Sequence, residues 1–212
     1  MQFNLSQLEI PAGNQLLLRN VDWESFEQLL EELGDNRGTR LSFSDNTVEI
    51  MAPMAVHEDD KSMISDLIKT MLDEMGIEFR ALASTTFKNK QMTQAVEPDE
   101  CFYIQNETKI RGKNRINLEK DPPPDLAIEI DLTSRTHFNN YEKLGVPELW
   151  RFDGKSLNIN ILKNNIYIES SQSRQFPNIP LKEAIPRFVE ESKTHGRSKM
   201  IKSFKLWLKD YL

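Results

Sequence analysis

Proline at the start of two acidic but otherwise apolar segments constrains this chain more than any other feature. Glu97-Pro98-Asp99 leads into Glu100–Gln105, and Pro122-Pro123-Pro124 leads into Asp125–Leu132. Proline cannot donate a ladder hydrogen bond, so it fixes where a strand can begin. Both segments have the β-branched and aromatic content of strands. In the second, Glu129 and Asp131 interrupt Leu126, Ala127, Ile128, Ile130 and Leu132. Side chains alternate along a strand, so Glu129 and Asp131 share one face while Ile128 and Ile130 share the other. Acids are thereby carried to sheet ends.

Around these strands, helices and further strands mix without strict alternation. Val21–Leu33 sets Trp23, Phe26, Leu29, Leu30 and Leu33 at helical spacing behind Asp22, a candidate N-cap, with Gly34 to close the helix. Arg40–Phe43 and Thr47–Met51 read as a hairpin across Ser44-Asp45-Asn46. His57–Met75 reads as a second amphipathic helix stopped by Gly76. Phe79–Phe87 and Glu148–Phe152 are strand candidates, and Leu157–Leu162 with Asn165–Glu169 forms another hairpin around Lys163-Asn164. A helix is expected between Thr136 and Leu144. Helical signals return over Phe188–Leu212, beyond the proline-punctuated Phe176–Leu181. The order predicts an α/β protein with a mixed β-sheet flanked by helices rather than a doubly wound parallel sheet. No phosphate-loop or dinucleotide glycine fingerprint is present.

At 212 residues the chain is expected to form a single domain over 1–212. Its longest apolar runs, Leu16–Leu18 and Leu126–Ile128, fall far short of the roughly 20 residues a bilayer span needs. Met1–Pro11 lacks a basic start followed by an apolar stretch, so a soluble, cytoplasmic protein with no membrane contact is expected. The lone Cys101 excludes an intrachain disulfide framework and a cysteine-rich zinc site, and reads as a core residue. A formal net charge of −6 gives the whole molecule no attraction for nucleic acid, so any such contact must be local. Lys109, Arg111, Lys113 and Arg115, together with the lysine-rich C-terminus, are the candidates; a merely solvated loop explains the cluster equally well.

Hard cations such as Mg²⁺ select carboxylate oxygens, and one or two carboxylates from neighbouring strands suffice to hold one beside a phosphate. Asp99 and Glu129 suit that role, and Asp131 lies close by on the same face. Glu49, framed by Val48, Ile50 and Met51, can add a third ligand or orient a metal-bound water. A Glu-x-Asp on its own describes a solvated sheet face just as well. His57 can cap, pack or act in acid-base chemistry, and His195 in its basic segment is expected to be exposed. No zinc spacing and no nucleophile elbow occur, which leaves a metal-free small-molecule hydrolase without machinery.

Taken together, Thr39–Pro53 (TRLSFSDNTVEIMAP), His57-Glu58, Ser84–Phe87 (STTF), Glu97–Gln105 (EPDECFYIQ), Pro122–Thr133 (PPPDLAIEIDLT) and Gly145–Gly154 (GVPELWRFDG) are more specific than any one of them. In this order they resemble the Uma-type restriction-endonuclease family, which is bacterial, abundant in cyanobacteria and placed in the PD-(D/E)XK nuclease superfamily. The resemblance covers about 16–162 and leaves 163–212 as a C-terminal extension.

That resemblance implies a restriction-endonuclease-like core in which Asp99 supplies the first metal-binding acid, Glu129 the second, and Glu49 an upstream acid. The implied activity is a DNA endonuclease dependent on Mg²⁺ or Mn²⁺, with nucleic acid, DNA before RNA, as partner. A homodimer is expected, because cutting both strands of a duplex takes two sites and two-fold assemblies are the commonest oligomers. The superfamily's simplest pattern places lysine two residues after the second acid, where this chain has Asp131. In many relatives a basic residue four positions before a tyrosine substitutes; matching Tyr141 puts His137 there, a weaker electrostatic replacement because it can be neutral. Lys143, six residues further on, points about a third of a turn away and ranks below His137. The missing lysine motivates an alternative: a catalytically weak or inactive nuclease-fold protein that binds nucleic acid or a protein partner.

Overall fold

The computed structural model describes residues 8–34, 37–83, 85–132 and 138–212. Strand β1 (Gln15–Arg19) precedes helix α1 (Trp23–Leu33), which starts where the Asp22 carboxylate accepts the Ser25 N–H at 2.8 Å. Gly34 ends α1 at φ 66°, in the left-handed region that costs glycine no Cβ clash. Strands β2 (Arg40–Ser44) and β3 (Thr47–Met51) make a tight hairpin. Its two turn residues, Asp45 and Asn46, both take positive φ, the geometry whose twist matches that of the strands. Helix α2 (Ala55–Glu74) is followed by β4 (Arg80–Leu82), β5 (Phe87–Asn89), β6 (Gln94–Val96), β7 (Glu100–Tyr103) and the one-turn α3 (Glu107–Ile110). Then come β8 (Leu126–Ile130), α4 (Phe138–Leu144), β9 (Glu148–Phe152), β10 (Leu157–Lys163), β11 (Ile166–Ser170), α5 (Leu181–His195) and α6 (Arg197–Leu208).

The strands form two sheets. One is antiparallel in the order β1-β3-β2-β6-β5; the other runs β11-β10-β9-β8-β7-β4 and is mixed, since β8 and β9 are parallel. The expected mixed sheet flanked by helices is thus present, with a second, smaller sheet beside it. On one face of the mixed sheet, Phe102, Ile128, Ile130, Trp150 and Phe152 pack with α2, α5 and α6. On the other, Cys101, Ala127 and Leu149 pack with Tyr141 and Leu144 of α4. Helix α1 covers the smaller sheet, where Phe26 stacks on Phe43 at 4.8 Å.

Three local expectations need correction. Phe79–Phe87 does not form one strand: β4 pairs with β7 in the mixed sheet and β5 with β6 in the other, so the chain changes sheets between them. The C-terminal helical stretch starts at Leu181 rather than Phe188, with Pro186 inside α5. An interior proline costs about 3 kcal/mol, but Leu181, Ala184 and Ile185 are fully or nearly fully buried, and each large aliphatic side chain returns roughly 1.5–3 kcal/mol. Strands β1 and β6 and the short α3 were not expected. Asp125 explains α3: its carboxylate accepts the N–H groups of Ile104 (2.7 Å) and Asn106 (2.9 Å), which turns the chain out of β7. Among the described residues, no helix is long and apolar enough to cross a membrane.

Candidate active site

β6 and β7 are joined by Glu97-Pro98-Asp99, so one short segment leaves the smaller sheet and enters the larger. Register pairs Glu100 with Ile128 and Cys101 with Ala127, which sets Asp99 opposite Glu129 on the same face. The Asp99 carboxylate also accepts the Ile130 N–H at 2.7 Å, fixing its position against β8. Asp99 is buried and Glu129 half-buried, both on the α4 side of the sheet.

Arg40, at the start of β2, reaches across from the smaller sheet. Its guanidinium forms an ion pair with Asp99 and another, at 2.7 Å, with Glu58 in the first turn of α2. Burial works against the Arg40 charge, yet Asp99, Glu129 and Glu58 together hold it protonated even more firmly than an ordinary arginine. Glu129 accepts a hydrogen bond from the Tyr141 hydroxyl of α4. Burial, and then the neighbouring Asp99 charge, push the Glu129 carboxyl well above the usual range; burial also raises Asp99, against the pull of Arg40.

Asp131 shares the Glu129 face, as alternation predicts, and accepts from Arg151 Nε at 2.6 Å. Arg151 stands opposite Glu129 in the parallel β8–β9 register, and its guanidinium lies 4.8 Å from the Phe138 ring centroid. A fixed positive charge therefore borders the acids from β9. Glu49 pairs in register with Ser42, on the face of the smaller sheet that also carries Arg40. Lys143 is drawn elsewhere, to Asp45 in the β2–β3 turn at 3.2 Å, on the exposed surface. His137 lies outside the described residues. His57 is buried in the first turn of α2 and is not bonded to these acids, and His195 is exposed as expected.

Arg40, Glu58, Tyr141 and Arg151 were not singled out as site residues from the sequence. The one signal for Tyr141 is its place four residues after His137. Nothing local marks Arg40, because its partner Asp99 is 59 residues away.

Two opposed carboxylates, one buried and one half-buried, whose charges disfavour each other form an oxygen donor set that fits a hard divalent cation, which needs only one or two carboxylates when phosphate completes its shell. Among the described residues, no group of three histidine, cysteine or acidic side chains converges as a full metal cage. Next to the site, a cleft of about 960 Å³ runs between α1, the β2 start and the 114–116 segment, with Arg40 and Glu58 in its lining.

A family model described as "Uma2: Putative restriction endonuclease" matches residues 23–191, extending through β10, β11 and most of α5. Among solved structures, the chain is similar to "a putative nuclease belonging to DUF820" from Anabaena variabilis ATCC 29413. That likeness has 15% identity and a TM-score of 0.45, and covers 78% of this chain and 90% of the other. No curated protein matches the chain.

Proposed function

Because the chain belongs to the Uma2 family of restriction-endonuclease-like proteins, we propose that it is a divalent-metal-dependent endonuclease that hydrolyses phosphodiester bonds, in DNA before RNA, through a site built on Asp99 and Glu129. The observation that carries this reading is their opposition on adjacent strands, on one face, with Glu129 held well above the ordinary carboxylate range. Facing carboxylates disfavour each other's charge, and a bound cation would relieve that repulsion. Asp99 and Glu129 are the residues to hold Mg²⁺ or Mn²⁺, which when bound polarises a phosphoryl oxygen and lowers the pKa of an attacking water.

The chain's own groups do the rest. Tyr141 orients Glu129 by donating to its carboxylate, and the Ile130 N–H orients Asp99. Glu129 must be ionised to act as a ligand, so its raised pKa makes loading of the site favour higher pH. Arg151, anchored by Asp131, supplies the fixed charge that the absent Glu-x-Lys lysine leaves open; His137 is the second candidate. The whole chain is proposed to act as one domain, since α5 and α6 share a core with α2 and the mixed sheet.

Plasmid cleavage in Mg²⁺ or Mn²⁺, against a chelator control, tests the proposal. Activity should require the metal and vanish in both Asp99→Ala and Glu129→Ala. A second reading, a nuclease fold that binds nucleic acid without cutting it, draws support from the Arg40–Asp99 ion pair, which occupies one of the two acids. Binding without cleavage of either DNA or RNA in both ions would establish that reading in place of the first.

A further inference from the structure

The 960 Å³ cleft beside the acids carries five cationic side chains, Arg37, Arg40, Arg80, Lys88 and Arg115, in a chain whose net charge is −6. Four carboxylates line it, and three are already paired: Glu97 with Arg37, Glu58 with Arg40, and Glu27 with Lys88 at 2.7 Å. Two cations in the lining, Arg80 and Arg115, have no carboxylate at ion-pair distance among the described residues. Arg80 is held in place by donating to the carbonyls of Ile110 (2.7 Å) and Lys113 (2.9 Å). Those bonds use two of the five N–H groups of its guanidinium and leave three for another partner. Arg115 is exposed on the neighbouring 114–116 segment.

The other basic residues of that segment are committed elsewhere. Arg111 makes a bidentate pair with Glu107 (2.8 and 2.6 Å), Lys113 pairs with Asp121, and Lys109 donates to Asn106. No aromatic side chain lines the cleft among the described residues, so bases find no stacking platform there. Guanidinium groups outside any ion pair and without aromatic neighbours are suited to phosphate and sugar rather than to base edges.

We propose that this cleft seats the sugar–phosphate backbone of DNA, with Arg80 and Arg115 as phosphate contacts and with Arg40 at its inner end, where the strand meets the acids. The assignment rests on the nuclease reading for its substrate class, but binding and cutting separate experimentally. In chelator, where no cleavage can occur, fluorescence anisotropy with a short labelled DNA duplex measures affinity across a salt series. The wild-type slope of log K against log salt should fall in magnitude by about 0.9 in Arg115→Ala, one phosphate contact's share. Arg115→Lys, which keeps the charge, should retain most of the slope, and Lys202→Ala on α6 should leave it unchanged. Arg115 is exposed, so its variants should fold as the parent does.

An unchanged slope in Arg115→Ala, a loss confined to Lys202→Ala, or no DNA binding by the unmutated protein would each overturn the proposal. Binding that depends on Arg115 without cleavage in Mg²⁺ or Mn²⁺ would remove the catalytic reading and leave the cleft assignment standing.

Discussion

Replacing Arg40 by methionine isolates the charge that holds the two sheets' halves of the site together. Arg40 and Asp99 are 8% and 2% exposed, so solvent screens their pairing little. Removing one partner of such a buried pair costs about 3–5 kcal/mol. The second arm reaches Glu58, whose side chain is 43% exposed, and adds no more than about 1 kcal/mol. In a chain of this length roughly 2–4 °C accompany each kcal/mol, so Arg40→Met should lower Tm by roughly 6–20 °C. The loss should depend on pH. Without Arg40 the raised pKa of Asp99 climbs further. A carboxyl whose folded pKa exceeds its unfolded value subtracts stability as pH rises from the unfolded value through the folded one. The deficit should therefore be small at about pH 2, below the unfolded value, where both states are protonated, and greater at about pH 8. Urea unfolding in chelator at both pH values measures it. Adding Mn²⁺ at about a hundredfold its Kd should restore about 2.7 kcal/mol, because the ion takes over the neutralising charge. A deficit below about 1 kcal/mol, or one equal at the two pH values, would refute the view that Arg40 compensates the acids.

Further outcomes follow from the same geometry. Glu129→Gln removes a carboxyl whose pKa is raised well above its ordinary value; the variant should match the parent in acid and exceed it in stability at alkaline pH without metal, as urea melts at the two extremes would record. His137→Ala should lower any cleavage rate by up to about 10²- to 10⁴-fold if that group transfers a proton. Lys143→Ala should cost far less, given its commitment to Asp45, and the opposite ranking in single-turnover assays would identify Lys143 as the displaced lysine. Sedimentation should find a homodimer, whereas a monomer throughout the micromolar range would count against double-strand cutting by this chain alone.

Much of the site could be read from the chain because it lies on regular elements. Alternation along Leu126–Ile130 separates Glu129 and Asp131 from Ile128 and Ile130, and the prolines before Asp99 and Asp125 mark the strand starts. Helix α1 declares itself through Asp22, its apolar spacing and Gly34. β4 and β5, at three residues each, are too short for a period-2 signal, so Phe79–Phe87 reads as one strand. The fate of the acids themselves escapes local pattern. Asp125 looks as well placed as Asp99 but spends one oxygen on the backbone N–H groups of Ile104 and Asn106 and the other on the Asn106 side-chain amide. Arg40 resembles any surface arginine at a hairpin start until the fold brings Asp99 to it.

The passage of one short segment, Glu97-Pro98-Asp99, from the smaller sheet into the larger has a consequence for how the molecule forms. Arg40 arrives on β2, Glu129 on β8, and Asp99 on the junction between their sheets. None of these groups is a sequence neighbour of another, so no partly folded chain with a single sheet in place contains the arrangement. Such long-range closures belong to slow steps of folding, since loop entropy is lost before the contacts form. While the chain is still emerging from the ribosome, before β8 has been made, the pair of acids does not yet exist. The centre comes into being only when the last of these strands docks, which makes completion of the fold a precondition for its chemistry.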